Sequence, residues 1–421
     1  MENKKKTKLL FVMYDRPNYP GGPIINYTRI LPILVKQGYD VHALVLYWDD
    51  YPNARQISEQ QVHIIPKKFS IYTKEDVHWM LQKAAIIQPD IFIPDVSTPG
   101  CFAAYWLQKS GIPCINSHRS DDELNWGKAL YFSDAANKFN VNAIFCVSDY
   151  LRKELWAKID KPNIHSKVIP SGVNISEHYS KQLSETLKIV YAGRLVQKQK
   201  RIVETIQVLV KIVDKFPNIS VTFIGDGPDR DKCQEIVAAS NNQKRFIFTG
   251  KLEGETYKNE LAKNDVIFLL SDYEGVPGSI MDGMSCGLIP VCYNYSGVDE
   301  LVDDKVNGFI VNDREQSIFE VVQFLILKPE ERIKLSNAAR QKIINGFSVE
   351  YTISQWKVFF DELIAFNGKS KKFKAPNRIK LPKKNNLLLE YLEEPKKVPL
   401  ANIRYKLKIR TRIKSIFKRD K

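Results

Sequence analysis

The sequence predicts an α/β protein with two Rossmann-like domains that face a central cleft, followed by a basic C-terminal tail. Short apolar strands alternate with helix-length segments in both halves of the chain, as they do in proteins with parallel sheets. These strands are apolar along their whole length, which is typical of sheets covered on both faces. The excess positive charge is confined to the end of the chain, where no such alternation continues.

The first half begins with a strand at Leu9–Tyr14, a loop rich in glycine and proline, and a helix at Ile24–Gln37 that Gly38 ends. Glycine suits that position because it adopts the left-handed conformation without strain. The remaining predicted elements of this half are strands at 41–47, 91–94, 113–116 and 143–147 and helices at 102–110 and 149–159.

The second half repeats the rhythm, with predicted strands at 187–191, 220–224, 245–249, 266–270 and 289–293. Ligands of parallel sheets bind at the carboxyl ends of the strands, so residues that follow strands are the candidates for a site. Neither half contains G-x-G-x-x-G, which disfavours a dinucleotide cofactor. A last helix is predicted over Ser348–Phe366, with Trp356 and Phe360 on its apolar face.

The most informative motif is Ser271-Asp-Tyr-Glu-Gly-Val-Pro-Gly-Ser-Ile-Met-Asp-Gly-Met-Ser-Cys-Gly287. It predicts a helix that starts with Pro277 at its first position and ends before Gly287. The N–H groups of Gly278, Ser279 and Ile280 would point out of that helix end, where the helix dipole favours an anion. Glu274 lies just before this helix end and Asp282 one turn inside the helix. Phosphate at the helix end, with one carboxylate beside it and one a turn inside, fits a sugar nucleotide, although acidic residues near helix starts are also common without any ligand.

Further motifs surround this one in a fixed order. Tyr191-Ala-Gly-Arg194-Leu with Lys200 and Arg201 comes before it, and Ser296-Gly-Val-Asp-Glu300 and Asn307-Gly follow. The set resembles the retaining glycosyltransferases of the family 4 type (glycosyl transferases group 1), which use nucleotide sugars and have the GT-B fold. The resemblance covers about residues 8 to 366. Its pattern has a second glutamate where this chain has Asp282, which puts donor affinity in doubt more than reaction type.

The resemblance implies roles for several residues. Arg194 and Lys200 would stabilise the leaving diphosphate, and Gly278, Ser279 and Ile280 would bind the donor. The alternative for each of the two cations is a solvated surface charge, which is what we expect of Arg201. Glu274 would contact hydroxyls of the transferred sugar, and Asp282 would accept hydrogen bonds from the ribose.

Two expectations concern the first half. His118, after the strand at 113–116, would contact the donor sugar, or would be an ordinary loop histidine. Gly21 and Gly22 would allow close approach of the backbone to the diphosphate of the donor or to the acceptor, or would only make a turn.

We expect no metal or other cofactor, because fixed cations can neutralise the diphosphate. Asp229-Arg-Asp231 matches the D-x-D metal motif of another glycosyltransferase fold, but it opens a helix whose first turn favours acidic residues. The six cysteines stand among apolar neighbours without a C-x-x-C motif. This spacing predicts buried thiols in a reducing compartment.

The basic tail gives the strongest indication of a partner. Residues 369–421 hold 19 Lys and Arg against 4 Asp and Glu, which accounts for the whole net charge of +15. Residues 369–384 are rich in lysine and unlikely to pack on a core, whereas Leu400–Phe417 could form an interfacial amphipathic helix. We therefore expect contact with an anionic membrane surface, and no nucleic acid partner, because the body shows no nucleic-acid-binding fold. Docking of the tail on the protein's own acidic patches or on a partner subunit is the alternative.

The predicted organisation is an N-terminal acceptor domain over 1–175, a nucleotide-sugar-binding domain over 176–346, a helix crossing back over 347–368, and the tail over 369–421. The predicted function is transfer of a sugar from a nucleotide diphosphate sugar to a cell-surface glycan or lipid-linked acceptor, with retention of configuration. The predicted location is the cytoplasm, peripheral at the inner face of the cell membrane. The alternatives are a non-catalytic accessory protein of glycosyltransferase type and a sugar-nucleotide epimerase of the same fold.

Overall fold

The structure is a computed structural model that describes residues 6–17, 21–70, 73–159, 164–180, 185–367 and 372–382. The chain forms two compact units, the first made by residues 1–169 together with residues from 353 onward, the second by residues 170–352. Each unit contains one parallel sheet. Among the described residues, no helix combines the length and the apolar character needed to span a bilayer.

The first unit contains a seven-stranded sheet in the order β3-β2-β1-β4-β5-β6-β7. Its strands are β1 Lys8–Asp15, β2 Asp40–Tyr47, β3 His63–Lys68, β4 Ile91–Asp95, β5 Cys114–His118, β6 Ala143–Cys146 and β7 His165–Val168. The inner strands are buried along their length because helices cover both faces. The strand order places the carboxyl ends of β1, β4 and β5 side by side, which is the edge where ligands of such sheets bind.

Six helices connect these strands: α1 Gly22–Lys36, α2 Pro52–Ser58, α3 Thr73–Ile87, α4 Thr98–Gln108, α5 Glu123–Ser133 and α6 Asp149–Lys158. Several begin at the capping residues expected from their chemistry. The side chains of Ser97, Asp122 and Ser148 accept hydrogen bonds from backbone N–H groups of α4, α5 and α6, respectively. Gly38, with φ +94°, follows α1 as the sequence predicted.

The second unit contains a six-stranded sheet in the order β10-β9-β8-β11-β12-β13. Its strands are β8 Leu187–Ala192, β9 Ile219–Ile224, β10 Phe246–Gly250, β11 Val266–Leu269, β12 Ile289–Tyr293 and β13 Phe309–Val311. Its helices are α7 Gln197–Lys200, α8 Ile202–Lys215, α9 Arg230–Ala238, α10 Gly254–Ala262, α11 Gly278–Ser285, α12 Gln316–Leu327 and α13 Pro329–Gly346. The two parallel α/β sheets confirm the predicted fold class.

The last helix, α14 Val349–Asn367, begins in the second unit and continues into the first. Thr352 Oγ1 donates to the Pro170 carbonyl 3.0 Å away within the second unit. Further along, the Trp356 ring packs edge-on against Phe145 at a centroid distance of 4.7 Å within the first unit. The aromatic face predicted from the sequence is therefore buried in the core of the first unit.

The unit boundaries differ from the predicted ones. The chain divides between residues 169 and 170 and between 352 and 353, whereas the sequence placed the divisions after 175 and after 346. The backbone of Val173 explains the shift. Its N–H donates to the Phe347 carbonyl and its carbonyl accepts from the Val349 N–H, so both chain segments belong to the second unit.

The segment after α14 also corrects the sequence prediction. Residues 372–382 were expected not to pack on a core, yet Phe373 is 2% exposed and Ile379 is 5% exposed. Both lie in the apolar cluster of the first unit together with Phe102 and Leu107. The amide side chain of Gln88 donates to the Phe373 carbonyl and accepts from its N–H, each at 2.9 Å. The burial of these two apolar residues is sufficient to attach the segment, because the ammonium groups of the neighbouring lysines can remain in solvent. The predicted helix at 400–417 lies outside the described residues.

Several elements were not predicted, namely α2, β3, α3, α5 and β7 in the first unit and β13, α12 and α13 in the second. Strand β3 contains Pro66 and two lysines, which argue against a strand in the sequence. Proline is tolerated there because β3 is an edge strand. Pro277 was expected at the first position of α11, but it has extended backbone (ψ 114°) and the helix begins at Gly278.

Candidate active site

The second unit contains an ion pair between two residues that the sequence assigned to the site. Lys200 Nζ donates to Glu274 Oε1 at 2.5 Å. Their side chains are only 13% and 8% exposed, respectively. Lys200 ends the short helix α7, and Glu274 lies in the loop between β11 and α11. The structure thus brings together two motifs that are 74 residues apart in the chain.

Backbone and side-chain hydrogen bonds attach α7 to the same loop. The Asp272 N–H donates to the Gln199 carbonyl at 3.0 Å. Gln199 Nε2 donates to the Tyr273 carbonyl, also at 3.0 Å. These bonds fix Lys200 opposite Glu274, so the ion pair does not depend on two flexible side chains meeting by chance.

Arg201 is part of this framework, although the sequence suggested only a solvated charge. Its backbone is in the left-handed region (φ 52°) at the junction of α7 and α8. Its Nε donates to Asp272 Oδ2 at 2.6 Å. On the other side, Arg314 Nη2 donates to Asp272 Oδ1 at 2.5 Å. Asp272 therefore joins two arginines, of which Arg314 was not predicted from the sequence.

Arg194 is placed differently from Lys200. It is exposed, and its guanidinium makes one long contact, from Nη2 to Gln199 Oε1 at 3.4 Å. The backbone beneath it is fixed, because the buried hydroxyl of Tyr191 donates to the Arg194 carbonyl at 2.7 Å. Burial raises the pKa of Tyr191, and the charge of Glu274 raises it further. The guanidinium is thus available to an anion, on a backbone that is held in place.

Gly193 and Gly225 allow the strand ends at this place to approach closely. Gly225 has φ +140°, and a Cβ on it would lie 1.9 Å from the Gly193 carbonyl oxygen. No other residue fits at such a distance. The Gly193 N–H donates to the Ile224 carbonyl at 2.9 Å, which joins the ends of β8 and β9 beneath Arg194.

Helix α11 presents its first turn beside Glu274. Gly278 is exposed, and apart from its chain neighbours and the backbone of its own helix no described atom lies within 4 Å of the place where its Cβ would be. The first N–H groups of a helix have no acceptor within the helix, so those of Gly278, Ser279 and Ile280 can bind an anion. Met281 and Met284 on the opposite side are buried in the core. Gly287, with φ +76°, follows the helix end as predicted.

The two carboxylates of the motif have different environments. Glu274 is buried beside Lys200. Burial raises the pKa of Cys292, and the negative charge of Glu274 raises it further. Asp282 is half-buried and lies in the second turn of α11. The structure therefore distinguishes an ion-paired carboxylate in the loop from a carboxylate on the helix.

The other three predicted site residues belong to the first unit. His118 ends β5 with its ring fully buried and edge-on to Trp126 at a centroid distance of 4.3 Å. Neither ring nitrogen has a hydrogen-bond partner among the described residues. Burial, and secondarily the charge of Lys128, lowers the pKa of His118 to about 3. The ring is therefore neutral at physiological pH, with a nitrogen able to accept or donate.

A buried polar network that the sequence did not reveal surrounds His118. Lys128 Nζ donates to the Asp95 carbonyl and to Asn116 Oδ1, each at 2.9 Å, and to both oxygens of Ser117. Arg119 Nε donates to Asp95 Oδ1 at 2.6 Å, with both side chains buried. Lys128 lies on a helix with a weak apolar pattern, so the sequence alone suggests an exposed lysine.

Gly21 and Gly22 form the start of α1. Gly21 has ordinary extended backbone (φ −72°). A Cβ on Gly22 would meet no other described atom within 4 Å, whereas one on Gly21 would lie 3.6 Å from Pro23 Cδ. Neither position requires glycine for its backbone conformation, and the role of both in donor binding stays a prediction.

Asp229, from the D-x-D sequence, has a structural partner. Its Oδ2 accepts from the Gln197 N–H at 2.7 Å, which satisfies the first backbone donor of α7. Asp231 is exposed in the first turn of α9. The six cysteines are all free and buried, and burial raises the pKa of Cys101 to about 12.

Comparison with known proteins identifies the family. The family described as "Glycosyltransferase Family 4" matches residues 28–177, and "Glycosyl transferases group 1" matches residues 176–342. The poly(ribitol-phosphate) α-N-acetylglucosaminyltransferase of Staphylococcus aureus is 26% identical over 265 residues, which are 60% of this chain and 51% of that protein. An uncharacterized glycosyltransferase of Methanocaldococcus jannaschii, MJ1607, is 21% identical over 72% of this chain and 85% of its own length. The chain thus spans about half the length of the first relative.

The fold agrees with this assignment. HepE of Anabaena, solved in complex with UDP-glucose, has a TM-score of 0.69 and 17% identity, and the match covers 84% of this chain and 99% of that one. From its two matched family regions and its two parallel α/β units, the chain belongs to the group 1, family 4 type of glycosyltransferases with the GT-B fold.

Proposed function

We propose that the protein transfers a sugar from a nucleoside diphosphate sugar to a glycan or lipid-linked acceptor, with retention of anomeric configuration. The observation that carries the proposal is the Lys200–Glu274 ion pair beside the open first turn of α11. A carboxylate for the sugar and a cation for the phosphates are held next to a helix end that binds anions.

The departing diphosphate needs positive charge as the bond to the sugar breaks. Arg194 is exposed and can bind two phosphate oxygens, whereas Lys200 contributes a point charge. The N–H groups of Gly278, Ser279 and Ile280 add hydrogen bonds without further charge. These groups support transfer that needs no metal ion or other cofactor, and Asp229 is already used as an acceptor by the backbone of α7.

The carboxylates fit the two ends of such a donor. Glu274 can accept from hydroxyls of the transferred sugar with its second oxygen while Oε1 remains with Lys200. Asp282 on α11 can accept from both ribose hydroxyls, because a carboxylate has two acceptor oxygens. In the first unit, His118 and the glycines Gly21 and Gly22 are proposed to contribute to donor binding.

Retention follows if transfer occurs on one face of the sugar. The bond from the anomeric carbon to the phosphate oxygen breaks, and the acceptor oxygen forms its bond on the same face. The acceptor proton passes to the departing phosphate oxygen, so no enzyme nucleophile is consumed. The buried thiols, whose pKa values burial raises, agree with this scheme.

The acceptor is proposed to belong to the cell envelope, in polysaccharide biosynthesis. Relatives named for poly(ribitol-phosphate) and poly(glycerol-phosphate) support this class of acceptor. The basic composition of residues 369–421 suits an anionic membrane surface. We therefore place the protein in the cytoplasm at the inner face of the membrane, where a lipid-linked acceptor is available.

A screen of nucleotide sugars by thermal unfolding tests the donor first. A donor at 100 times its dissociation constant adds about 2.7 kcal/mol to the free energy of unfolding. Transfer to an acceptor is then followed by NMR, which reports the anomeric configuration, with and without EDTA. Retained configuration and EDTA-insensitive transfer are expected, whereas complete and metal-reversible loss of transfer would contradict the metal-free scheme.

The same experiment separates the alternatives. An epimerase converts the nucleotide sugar without any acceptor, and an accessory protein binds or ignores donors without turnover. A sugar with altered configuration at a ring carbon, formed without any acceptor, therefore favours the epimerase. Donor binding without any release of nucleoside diphosphate favours the accessory protein.

A further inference from the structure

Three potential metal ligands lie together on the first unit, away from the residues discussed above. Asp40 and His42 are at the start of β2, and His63 is the first residue of the edge strand β3. Residues 40 and 42 share one face of β2 because side chains alternate along a strand. His42 pairs directly with His63 in the parallel register of β2 and β3. The register therefore places all three side chains on the same face of the sheet.

The distances between their donor atoms suit a single small cation. His42 Nε2 is 3.0 Å from Asp40 Oδ1, and His63 Nε2 is 3.5 Å from the same oxygen. One ligand atom from each residue lies within 4.8 Å of the other two. In a tetrahedral site with bonds of about 2.0–2.1 Å, neighbouring ligand atoms are separated by about 3.3 Å. The distances from Asp40 Oδ1 to the two imidazole nitrogens, 3.0 and 3.5 Å, are slightly below and slightly above that separation.

The alternative explanation is a hydrogen-bonded cluster of two imidazoles and a carboxylate. Against it, Nε2 of His42 is buried and has no hydrogen bond of good geometry among the described residues. Asp40 Oδ1 lies 3.0 Å from this nitrogen. A cation between the two atoms would use both lone pairs and would satisfy the buried nitrogen.

We propose that Asp40, His42 and His63 bind one divalent cation of the Zn²⁺ class and so fasten the edge strand β3 to β2. Imidazole and carboxylate are ligands that Zn²⁺ accepts, with water at the fourth position. The rings of His42 and His63 stack at a centroid distance of 4.6 Å, and the exposed His63 can rotate towards a shared ion. The nearby cation Lys8 is directed elsewhere, because its Nζ donates to the Ile87 carbonyl at 3.1 Å.

The position in the sheet indicates a structural role. All three residues are at the amino-terminal end of their strands, whereas His118 ends β5 at the carboxyl edge. Strand β3 has a neighbouring strand on one side only among the described residues and contains Pro66, which cannot donate a backbone hydrogen bond to the sheet. A cation that joins it to β2 adds stability there without taking part in transfer.

Zinc binding to the full-length protein tests the proposal. The protein is titrated with Zn²⁺ alone against a chromophoric chelator, and Co²⁺ replaces Zn²⁺ to report four-coordinate geometry by its visible spectrum. We expect one equivalent to bind and thermal unfolding to shift upward. Loss of a group that merely orients a ligand lowers metal affinity by about 10–100-fold, so His63→Ala and Asp40→Asn should lower it at least tenfold.

The chain offers a matched control. His78 on α3 is partly exposed and has Gln82 as its partner, so His78→Ala should bind Zn²⁺ like the unaltered protein. The cysteines do not compete, because they are buried, burial raises the pKa of thiols such as Cys101, and only the thiolate binds metal. Failure to bind Zn²⁺, or equal binding by His63→Ala and the unaltered protein, would overturn the proposal. Since His63 is 62% exposed, its replacement leaves the fold intact and the comparison valid.

Discussion

Lys200 Nζ and Glu274 Oε1 are 2.5 Å apart, which joins the short helix α7 to the loop that precedes α11. Both side chains are largely buried, so neither charge is strongly screened by water. The neighbouring Arg194 is exposed instead. The two cations of the candidate site should therefore respond differently to mutation, although both are proposed to act on the same diphosphate.

Replacing either cation by alanine should lower turnover by about 10²–10³-fold, because each stabilises charge that develops on the diphosphate. Arg194→Ala should leave the free energy of unfolding within about 0.5 kcal/mol. Lys200→Ala should lower it by roughly 3 kcal/mol, since Glu274 is left without its partner. Steady-state kinetics and urea unfolding measure the two effects.

The control is Lys198→Ala, which removes an exposed lysine of the same helix. Near-normal turnover of both Arg194→Ala and Lys200→Ala at saturating donor would refute the assigned roles.

Replacement of the two carboxylates should affect different steps, namely turnover for one and donor affinity for the other. Glu274→Gln should lower kcat more than Asp282→Asn does, because Glu274 is proposed to contact the reacting sugar and Asp282 the ribose. Asp282→Asn should act mainly on donor affinity, and Asp282→Glu should preserve or tighten it. Calorimetric titration of the donor beside kinetics distinguishes these effects. If Asp282→Glu abolishes donor binding, the ribose assignment is wrong or the site is shaped around the shorter side chain.

His118 should make stability depend on pH. Its pKa is about 3 when folded and 6.5 in the reference state, so between these values the unfolded chain binds more protons. Stability due to the neutral ring is thus fully present above pH 6.5 and is lost as the pH falls towards 3. At pH 5 the loss is about 2 kcal/mol. The free energy of unfolding should be measured at pH 7 and at pH 5. Its decrease between these two values should be about 2 kcal/mol smaller in His118→Asn than in the unaltered protein. An equal decrease in both proteins would count against a neutral buried ring.

The segment at 372–382 should contribute to the stability of the first unit. Phe373→Ala should lower the free energy of unfolding by about 3 kcal/mol, because it leaves a cavity among buried aromatic and aliphatic side chains. Lys374→Ala, which removes an exposed neighbour, should have little effect. Urea unfolding of both variants provides the measurement. Equal stability of Phe373→Ala and the unaltered protein would show that the segment is not part of the cooperative core.

The basic tail should bind anionic membranes. Full-length protein should sediment with anionic liposomes and not with neutral ones, and binding should weaken with salt, because each basic residue near the surface contributes about 1 kcal/mol. A protein that ends after Pro382 retains the packed segment and should lose this binding. Equal sedimentation of both proteins, or none of the full-length protein at low salt, would refute a membrane role for the tail.

The sequence alone determined the parallel α/β fold in two parts and the position of α11. Apolar strands such as Val266–Leu269 and Ile289–Tyr293 are local signals, since burial on both faces requires apolar residues at every position. The helix motif after Glu274 is equally local, because the start of the helix is specified by the proline and glycine next to it and its end by Gly287. Arg194, Lys200, Glu274 and Asp282 could be chosen because they occur in an ordered set of motifs.

Only the tertiary structure decided which residues contact one another. Lys200 meets Glu274, and Asp272 joins Arg201 to Arg314, because strands and loops distant in sequence end at the same edge of one sheet. The burial of Lys128 and His118 depends in the same way on neighbours that no local pattern specifies. Residues 372–382 read as a solvated basic segment, yet they pack on the first unit, since Phe373 and Ile379 belong to the apolar cluster to which strands and helices of that unit contribute. Local chemistry fixes the elements, whereas charge pairing and burial are properties of the assembled units.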